Sequence, residues 1–209
     1  MASGIRSLLA CGLLLLLACG CVPGSAPDGT VARPRDGGLL SLFLNLKQGR
    51  VPDLEMRVSA IEILSGNGTW LPLAEHTITL RAGAIGGSRI FVARAPLAQG
   101  HYSRLRLTLS AAVLHDPSGS RPLALRTAVT ELPIHDVLFL GRGDSRSLFL
   151  SWDVQASLAD NRTFGPVLSL APRLKNLIAD VAYVACPDID TVYMIRTDKN
   201  WVYDSLGVA

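Results

Sequence analysis

Residues 40–47 read Leu-Ser-Leu-Phe-Leu-Asn-Leu-Lys, with a leucine at every second position. Successive side chains of a β-strand point to opposite faces, so this period of two predicts a strand whose leucine face is buried. The same alternation occurs over 104–109 and over 147–154. In 104–109 we expect the leucines to be buried and Arg104 and Arg106 to be solvated.

Shorter candidate strands continue the pattern along the chain. They are 56–64, 69–73, 77–80, 89–93, 121–125, 134–140 and 163–170. Turns rich in glycine, proline and asparagine separate them at intervals of about 10 residues, a spacing typical of antiparallel sandwiches and barrels. We therefore predict an all-β protein with an antiparallel β-sandwich over 39–175. The only helix we predict is a turn or two near 155–161.

The composition favours a folded domain. The chain has 209 residues, of which 49% are hydrophobic and 18% charged, and this balance excludes wholesale disorder. A formal net charge of +3 is too small to indicate a nucleic-acid-binding protein. Four cysteines are too few for a disulfide scaffold. Cys21 and Cys186 are able to pair, although a free Cys186 is the favoured alternative.

The first residues have the layout of a secretory signal peptide, with Arg6 followed by the apolar run 7–18. This run is shorter than the roughly 20 residues that a membrane-spanning helix needs. It ends in Leu-Leu-Ala-Cys at 16–19, which resembles a bacterial lipobox. The resemblance implies removal of 1–18 and lipidation of Cys19, with the bilayer as partner. Ordinary secretory cleavage nearby is the alternative.

Residues 19–38 follow as a flexible tether, because their proline, glycine, aspartate and arginine residues offer no face that can pack. Gly20 comes directly after the cysteine, where an aspartate usually retains bacterial lipoproteins at the inner membrane. The bacterial cell envelope is the predicted location, with the outer membrane or the cell surface favoured.

Several features, ordered along 39–175, resemble a bacterial lipoprotein domain family of unknown function that has a β-sandwich fold. They are the alternating leucines of 40–46, the turn and tryptophan of 67–70, the strand 78–80, the segment 97–107, the late strand 148–153 and the closing 170–173. The most specific is Gly-His-Tyr at 100–102 before an alternating strand, which implies a structural role for Tyr102. The resemblance implies a fold and a compartment but no activity.

The segment 181–208 resembles one repeat of the Tyr-Val-Thr-Asn type of β-propeller. The matching residues are Tyr183-Val184, Thr191-Val192, Ile195 and 200–207, whereas Cys186 and Arg196 depart from the usual Asn and Asp. The resemblance implies that 176–209 is a three-stranded partial blade, from a longer protein or a truncated gene product. A single blade cannot bury its own faces, so a lone blade predicts a loosely attached tail. Three further strands of the sandwich are the alternative.

No catalytic or metal-binding motif, such as Gly-x-Ser-x-Gly or His-Glu-x-x-His, occurs in the sequence. The pairs His115-Asp116 and His135-Asp136 are adjacent on strands, so their side chains point apart. We therefore predict a protein that is not an enzyme and that takes no metal or cofactor.

Two features offer candidate binding residues. Arg142, Gly143 and Asp144 form the tripeptide that integrins recognise, at the tip of a predicted hairpin, where the same residue types are ordinary turn formers. Trp70 follows a turn and has an apolar ring that can stack on a sugar, although a core position is the commoner role of tryptophan.

These observations favour a bacterial cell-envelope lipoprotein with a non-enzymatic binding or structural function, whose ligand is an envelope protein or a carbohydrate. A second hypothesis makes the chain the N-terminal part of a propeller-containing enzyme or sugar-binding protein. A third is an adhesin that acts through the Arg-Gly-Asp loop.

Overall fold

The computed structural model describes residues 36–47, 52–160, 162–170 and 180–207, and strands dominate these ranges. The strands are β1 (Gly37–Leu46), β2 (Asp53–Ser65), β3 (Trp70–Ala74), β4 (Ile78–Arg81), β5 (Arg89–Ala98), β6 (Gly100–Asp116), β7 (Gly119–Leu125), β8 (Val129–Leu140), β9 (Ser145–Trp152), β10 (Leu158–Ala159), β11 (Thr163–Phe164), β12 (Leu168–Leu170), β13 (Val181–Cys186), β14 (Thr191–Arg196) and β15 (Trp201–Gly207). The helical turns are α1 (Ala82–Ile85), α2 (Val154–Ser157) and a 3-10 turn at Pro187–Ile189.

Two sheets form the sandwich. The front sheet has the order β12-β9-β1-β5, and the back sheet has the path β10-β11-β7-β6-β2-β3, with β4 beside β2 and β8 beside β6. The strands β13, β14 and β15 form a separate antiparallel sheet, which we call the tail sheet. Most neighbouring strands are antiparallel, while β1 with β9 and β7 with β11 are parallel pairs. The predicted all-β sandwich is thus confirmed.

The leucine faces of the two large sheets meet in one core. The predicted core positions of β6 and β9 are buried: Leu105 is 0% exposed, Leu107 1%, Leu109 3%, Leu150 1% and Trp152 0%. Between these leucines, the Arg104 side chain keeps 58% of its surface exposed. Arg106 keeps 26% and pairs with Glu62, with 2.9 Å between Nε and Oε2. The register predicted for 104–109 is therefore confirmed.

Tyr102 is buried near the start of β6 and contacts the end of β5. It is 2% exposed, and its hydroxyl donates a hydrogen bond to the Ala98 carbonyl at 2.7 Å. Burial raises the pKa of Tyr102 above its ordinary value. The residue therefore fixes the connection between β5 and β6.

β1 is buried on both faces, whereas the alternation predicted burial of the leucine face alone. Ser41 and Phe43, on the face away from the core leucines, are 0% and 4% exposed. The tail sheet covers them: the ring of Tyr193 in β14 meets the ring of Phe43 edge to face, with centroids 6.2 Å apart. The alternation identified the strand correctly but could not show that a third layer lies over it.

The tail sheet packs on the front sheet along a surface that we call the seam. Its central residues are Phe43, Arg89, Arg94, Phe149 and Tyr193. Arg94 donates to the Tyr193 hydroxyl and, from Nε, to Ser41 Oγ at 3.2 Å. The hydroxyls of Ser147 and Ser205 lie 2.7 Å apart. The tail is therefore docked, and the loose attachment expected of a lone blade is not observed.

The two short helices only partly follow the sequence pattern. The helix α2 occupies the start of the predicted 155–161 turn. The helix α1 falls in a glycine-rich stretch that was expected to be a plain turn. Its residues Ala82 and Ile85 are 2% and 3% exposed, so packing against the core accounts for the helical turn there.

Candidate functional site

A cleft of about 430 Å³ opens between β8 and β9, within the size range of small-ligand sites. The apolar lining residues are Ile134, Val137, Leu138, Phe139, Leu148, Phe149 and Leu170, and the polar ones are His135, Asp136, Arg146 and Ser147. Val137 is 56% exposed and Phe139 46%. Exposed apolar side chains grouped beside a cleft are typical of a binding surface.

The cleft arises where β8 leaves its ladder with β6. The partners of Tyr102 and Arg104 on β8 are separated by the residues 134–137, which bulge out of the sheet. Asp136 in this bulge has a φ of 57°, which few residues other than glycine adopt. Bulges of this kind often redirect side chains at functional sites.

Arg146 is the positive group of the cleft. Its Nη2 donates to Asp144 Oδ2 at 3.4 Å, whereas its Nε is shielded from solvent and has no hydrogen-bond partner. Ser147, the next residue, hydrogen bonds with Ser205 of the tail sheet, so the cleft borders the seam. The cleft therefore presents apolar surface with a cation at one side.

Sequence reasoning predicted a plain strand over 134–140 and missed this cleft. The available signal was the run Val-Leu-Phe-Leu at 137–140, which breaks the alternation and leaves no polar face for solvent. A second signal was Pro133, directly before the bulge, because proline within a strand occurs mainly at edges and bulges.

The Arg-Gly-Asp tripeptide lies in the turn between β8 and β9. Arg142 is exposed, but the Asp144 carboxylate is turned back into the loop, where Oδ2 accepts a hydrogen bond from the Gly141 N–H at 2.9 Å. The Gly143 N–H donates to the Gly37 carbonyl at 2.9 Å. A carboxylate bound within its own loop is poorly placed to reach a partner, so this geometry does not favour adhesion.

Trp70, the candidate for stacking on a ligand, begins β3 and is half-buried. The Arg106 guanidinium carbon lies 4.1 Å from the centroid of its ring. The same arginine is held by Glu62. A cation–π contact thus occupies one face of the indole, and only the other face is left for a sugar.

Arg89 is a buried cation in the seam and forms no ion pair with the described residues. It is 9% exposed, and its guanidinium carbon lies 4.3 Å from the Phe149 ring centroid and 4.9 Å from that of Trp201. It also donates to the Val202 carbonyl. Burial lowers the pKa of Arg89 to about 10. Through these contacts, Arg89 joins the front sheet to the tail sheet.

A polar chain of three residues lies on the solvent-facing side of the back sheet. Ser120 Oγ is 2.7 Å from His115 Nδ1, and Glu55 Oε2 is 3.2 Å from His115 Nε2. Asp116 takes no part, because its Oδ1 accepts from the Ser118 N–H at 2.8 Å. Sequence reasoning compared His115 only with its neighbour Asp116 and did not detect this arrangement.

Asp53 borders the same group but is already engaged. Its Oδ2 lies 2.7 Å from Arg81 Nη2, and its Oδ1 accepts from the Gly83 N–H at 3.0 Å. The hydrogen bond from Arg81 lowers the pKa of Asp53. This carboxylate is therefore ionised and occupied, and Glu55 is the acceptor that faces His115.

Within 36–47, 52–160, 162–170 and 180–207, no group of three or more His, Cys, Asp or Glu side chains is arranged to hold a metal ion. In the same ranges, no helix has both the length and the apolar character needed to cross a membrane. The predicted lipidation site Cys19 lies outside the described residues, as does Cys21. Cys186 is half-buried and carries a free thiol.

Comparisons with family models, curated proteins and solved structures found no match to this chain. The resemblances to a lipoprotein domain family and to a propeller repeat therefore stay predictions.

Proposed function

We propose that the chain is a lipid-anchored protein of the bacterial cell envelope, whose sandwich binds an apolar segment of an envelope protein in the cleft between β8 and β9. The observation that carries the proposal is the cleft itself, with Val137 and Phe139 exposed beside it. A carbohydrate is a weaker fit, because most of the lining is aliphatic or aromatic and the candidate stacking ring of Trp70 is half occupied by Arg106.

The polar members of the cleft set the orientation of such a ligand. Arg146 lies on the β9 side and is half-buried, so a ligand carboxylate or backbone carbonyl beside it gains a charge-assisted hydrogen bond. A few polar groups around an apolar lining are the usual composition of a site that fixes both affinity and orientation.

Replacing Phe139 with serine is expected to weaken binding of a hydrophobic fluorescent probe such as bis-ANS about tenfold, because burying a phenylalanine contributes about 1.5–3 kcal/mol. Val129→Ser is the matched control, since Val129 is 44% exposed on the same strand but does not line the cleft. Fluorescence titration measures both variants. Equal binding by the wild type and the Phe139 variant would show that the cleft is not the apolar binding site.

The anchor is tested separately. In a bacterial host, the wild-type chain is expected to incorporate radiolabelled palmitate and to fractionate with membranes, and Cys19→Ala is expected to lose both. Cys21→Ala is the matched control, because it removes a thiol two residues away and leaves the lipobox intact. Label on the Cys19→Ala protein would refute lipidation at that residue.

A second candidate function is a part of a propeller-containing enzyme or sugar-binding protein. Its support is the three-stranded antiparallel tail sheet, which matches the number and order of strands expected of a partial blade. Extending the coding sequence beyond codon 209 tests it: consecutive repeats like 181–208 support this function, and unrelated sequence or a stop codon argues against it.

A further inference from the structure

We infer that Ser120 is a reactive nucleophile, with His115 as its general base and Glu55 as the positioning residue, and that it accepts acyl groups from activated esters. This activity is independent of the proposed binding cleft, since the three residues lie on the back sheet.

The three side chains meet because β7, β6 and β2 are neighbours in the back sheet. His115 is the direct ladder partner of Ser120 on one side and of Asp53 on the other, two residues from Glu55. Residues two apart on a strand share a face, so Glu55 reaches the histidine from the same side of the sheet. The register of β6 with β2 on one side and with β7 on the other therefore assembles the group from residues 55, 115 and 120.

The hydrogen-bond network assigns the histidine tautomer. A carboxylate only accepts hydrogen bonds, so Glu55 requires a proton on His115 Nε2. The lone pair of the neutral ring is then on Nδ1, which faces Ser120 Oγ at 2.7 Å. The Ser120 hydroxyl therefore donates to His115 Nδ1, and His115 Nε2 donates to the Glu55 carboxylate. A hydroxyl bonded to an imidazole that a third group orients is the arrangement of an activated nucleophile.

The nucleophile is more exposed than the two residues that activate it, as a reactive site requires. The side chains of His115 and Glu55 are 19% and 12% exposed, whereas Ser120 is exposed. Arg57 Nε donates to the other oxygen of Glu55 at 3.1 Å, which holds that carboxylate in place. Base and acid are thus sheltered, and only the nucleophile is open to a reagent.

The reaction balances without a further cofactor. Ser120 Oγ forms a bond to the carbonyl carbon of the ester while its proton passes to His115 Nδ1. The bond from that carbon to the leaving oxygen then breaks, and the same proton protonates the leaving alcohol. Water hydrolyses the acyl-serine by the same route.

The surroundings limit the class of substrate. The Ser118 N–H, two residues from the nucleophile, is already bound by Asp116 Oδ1 at 2.8 Å and is not free to stabilise an oxyanion. We therefore expect reaction with electrophiles that carry a good leaving group, such as aryl esters or phosphonofluoridates, and not with amides.

A fluorophosphonate probe on the full-length folded protein tests the inference. Ser120 Oγ displaces fluoride from phosphorus, and peptide mass spectrometry locates the adduct. Ser118 is a matched internal control, because it is exposed in the turn just before β7 but its hydroxyl donates to Asp116 rather than to an imidazole. We expect labelling at Ser120 to be at least tenfold faster than at Ser118, since a positioned general base accelerates such steps by about 10²–10⁴ in enzymes.

Variants of His115 and Glu55 show whether Ser120 reacts because it is activated or only because it is exposed. His115→Gln is expected to reduce Ser120 labelling to the Ser118 rate, and Glu55→Gln to reduce it severalfold while leaving the melting temperature nearly unchanged. Equal labelling of Ser118 and Ser120 in the wild-type protein would overturn the inference, as would unchanged labelling in folded Glu55→Gln and His115→Gln. Because the wild-type comparison lies within one molecule, a variant that fails to fold does not remove the test.

Discussion

Deleting residues 176–209 is expected to lower the melting temperature of the remaining sandwich by roughly 10 °C, because it uncovers the outer face of the front sheet. Phe43 and Phe149, now 4% and 5% exposed, would face water. Re-exposing two phenylalanine rings costs about 3 kcal/mol, and each kcal/mol shifts the melting temperature of a domain of this size by roughly 3–5 °C. Circular dichroism melting curves of the full and shortened chains measure the difference.

The control for this deletion is Tyr183→Ser, which changes the tail sheet at a residue that is 63% exposed and away from the seam. It is expected to leave the melting temperature within a degree or two of the wild type. An unchanged melting curve after the deletion would mean that the seam contributes nothing. In the intact chain, Trp201 fluorescence gives a faster test of docking, since its Nε1 donates to the Gly87 carbonyl at 2.8 Å and a docked tail shields it from quenchers.

Trp152→Ala is expected to destabilise the protein by about 3–5 kcal/mol, the range for truncating a large buried aromatic residue. The side chain is 0% exposed, and its ring meets Phe164 edge to face at 6.3 Å. Its Nε1 donates to Ser157 Oγ at 3.0 Å, and that hydroxyl also accepts from the Val167 N–H at 2.8 Å. The substitution therefore opens a cavity and also breaks a buried hydrogen-bond network.

Urea denaturation gives the free energy of unfolding for this variant and for two comparisons. Trp152→Phe keeps a ring but loses the indole N–H, so we expect a smaller loss. Trp70→Ala removes a half-buried indole that stacks on Arg106, and about 1 kcal/mol is expected for it. A Trp152→Ala loss no larger than that of Trp70→Ala would contradict the assignment of Trp152 to the centre of the core.

The strands could be predicted because their pattern is local. Alternating apolar residues in 40–47, 104–109 and 147–154 indicate both the element and its buried face, and β1, β6 and β9 occupy these segments with that face inward. The third strand is shorter than predicted, because β9 ends at Trp152 and Val154 begins α2. The pairing of strands could not be predicted in the same way. The parallel contact of β1 with β9 joins residues about a hundred positions apart, and nothing in either strand selects it over an antiparallel neighbour.

The third layer was missed for a related reason. Phe43 and Phe149 occupy positions that alternate with leucine, where a solvated strand carries polar residues. Two phenylalanines on that face were the signal that something covers it, and they stack on each other at 5.7 Å beneath the tail sheet. A single exposed apolar residue means little, so the signal becomes clear only when both strands are known to be neighbours.

The group of Ser120, His115 and Glu55 could not be predicted from the sequence. Ser120, His115 and Glu55 belong to no spaced motif, and only the register of β2, β6 and β7 brings them together. The Arg-Gly-Asp motif is the opposite case, because the sequence shows it directly but the structure does not favour its function. Its Asp144 carboxylate accepts a hydrogen bond from the Gly141 N–H of the same loop.

The position of β1 in the middle of the front sheet sets the order in which the protein can assemble. Its antiparallel partner β5 follows soon in the chain, but its parallel partner β9 ends only at Trp152, so the first strand that the structure describes waits for a late strand of the sandwich. Such distant pairings slow folding, and the waiting strand exposes leucines and a phenylalanine that promote self-association. We therefore expect slow folding that starts only when most of the chain is available, and a marked benefit from a chaperone that holds the unfolded N-terminal half apart from other chains.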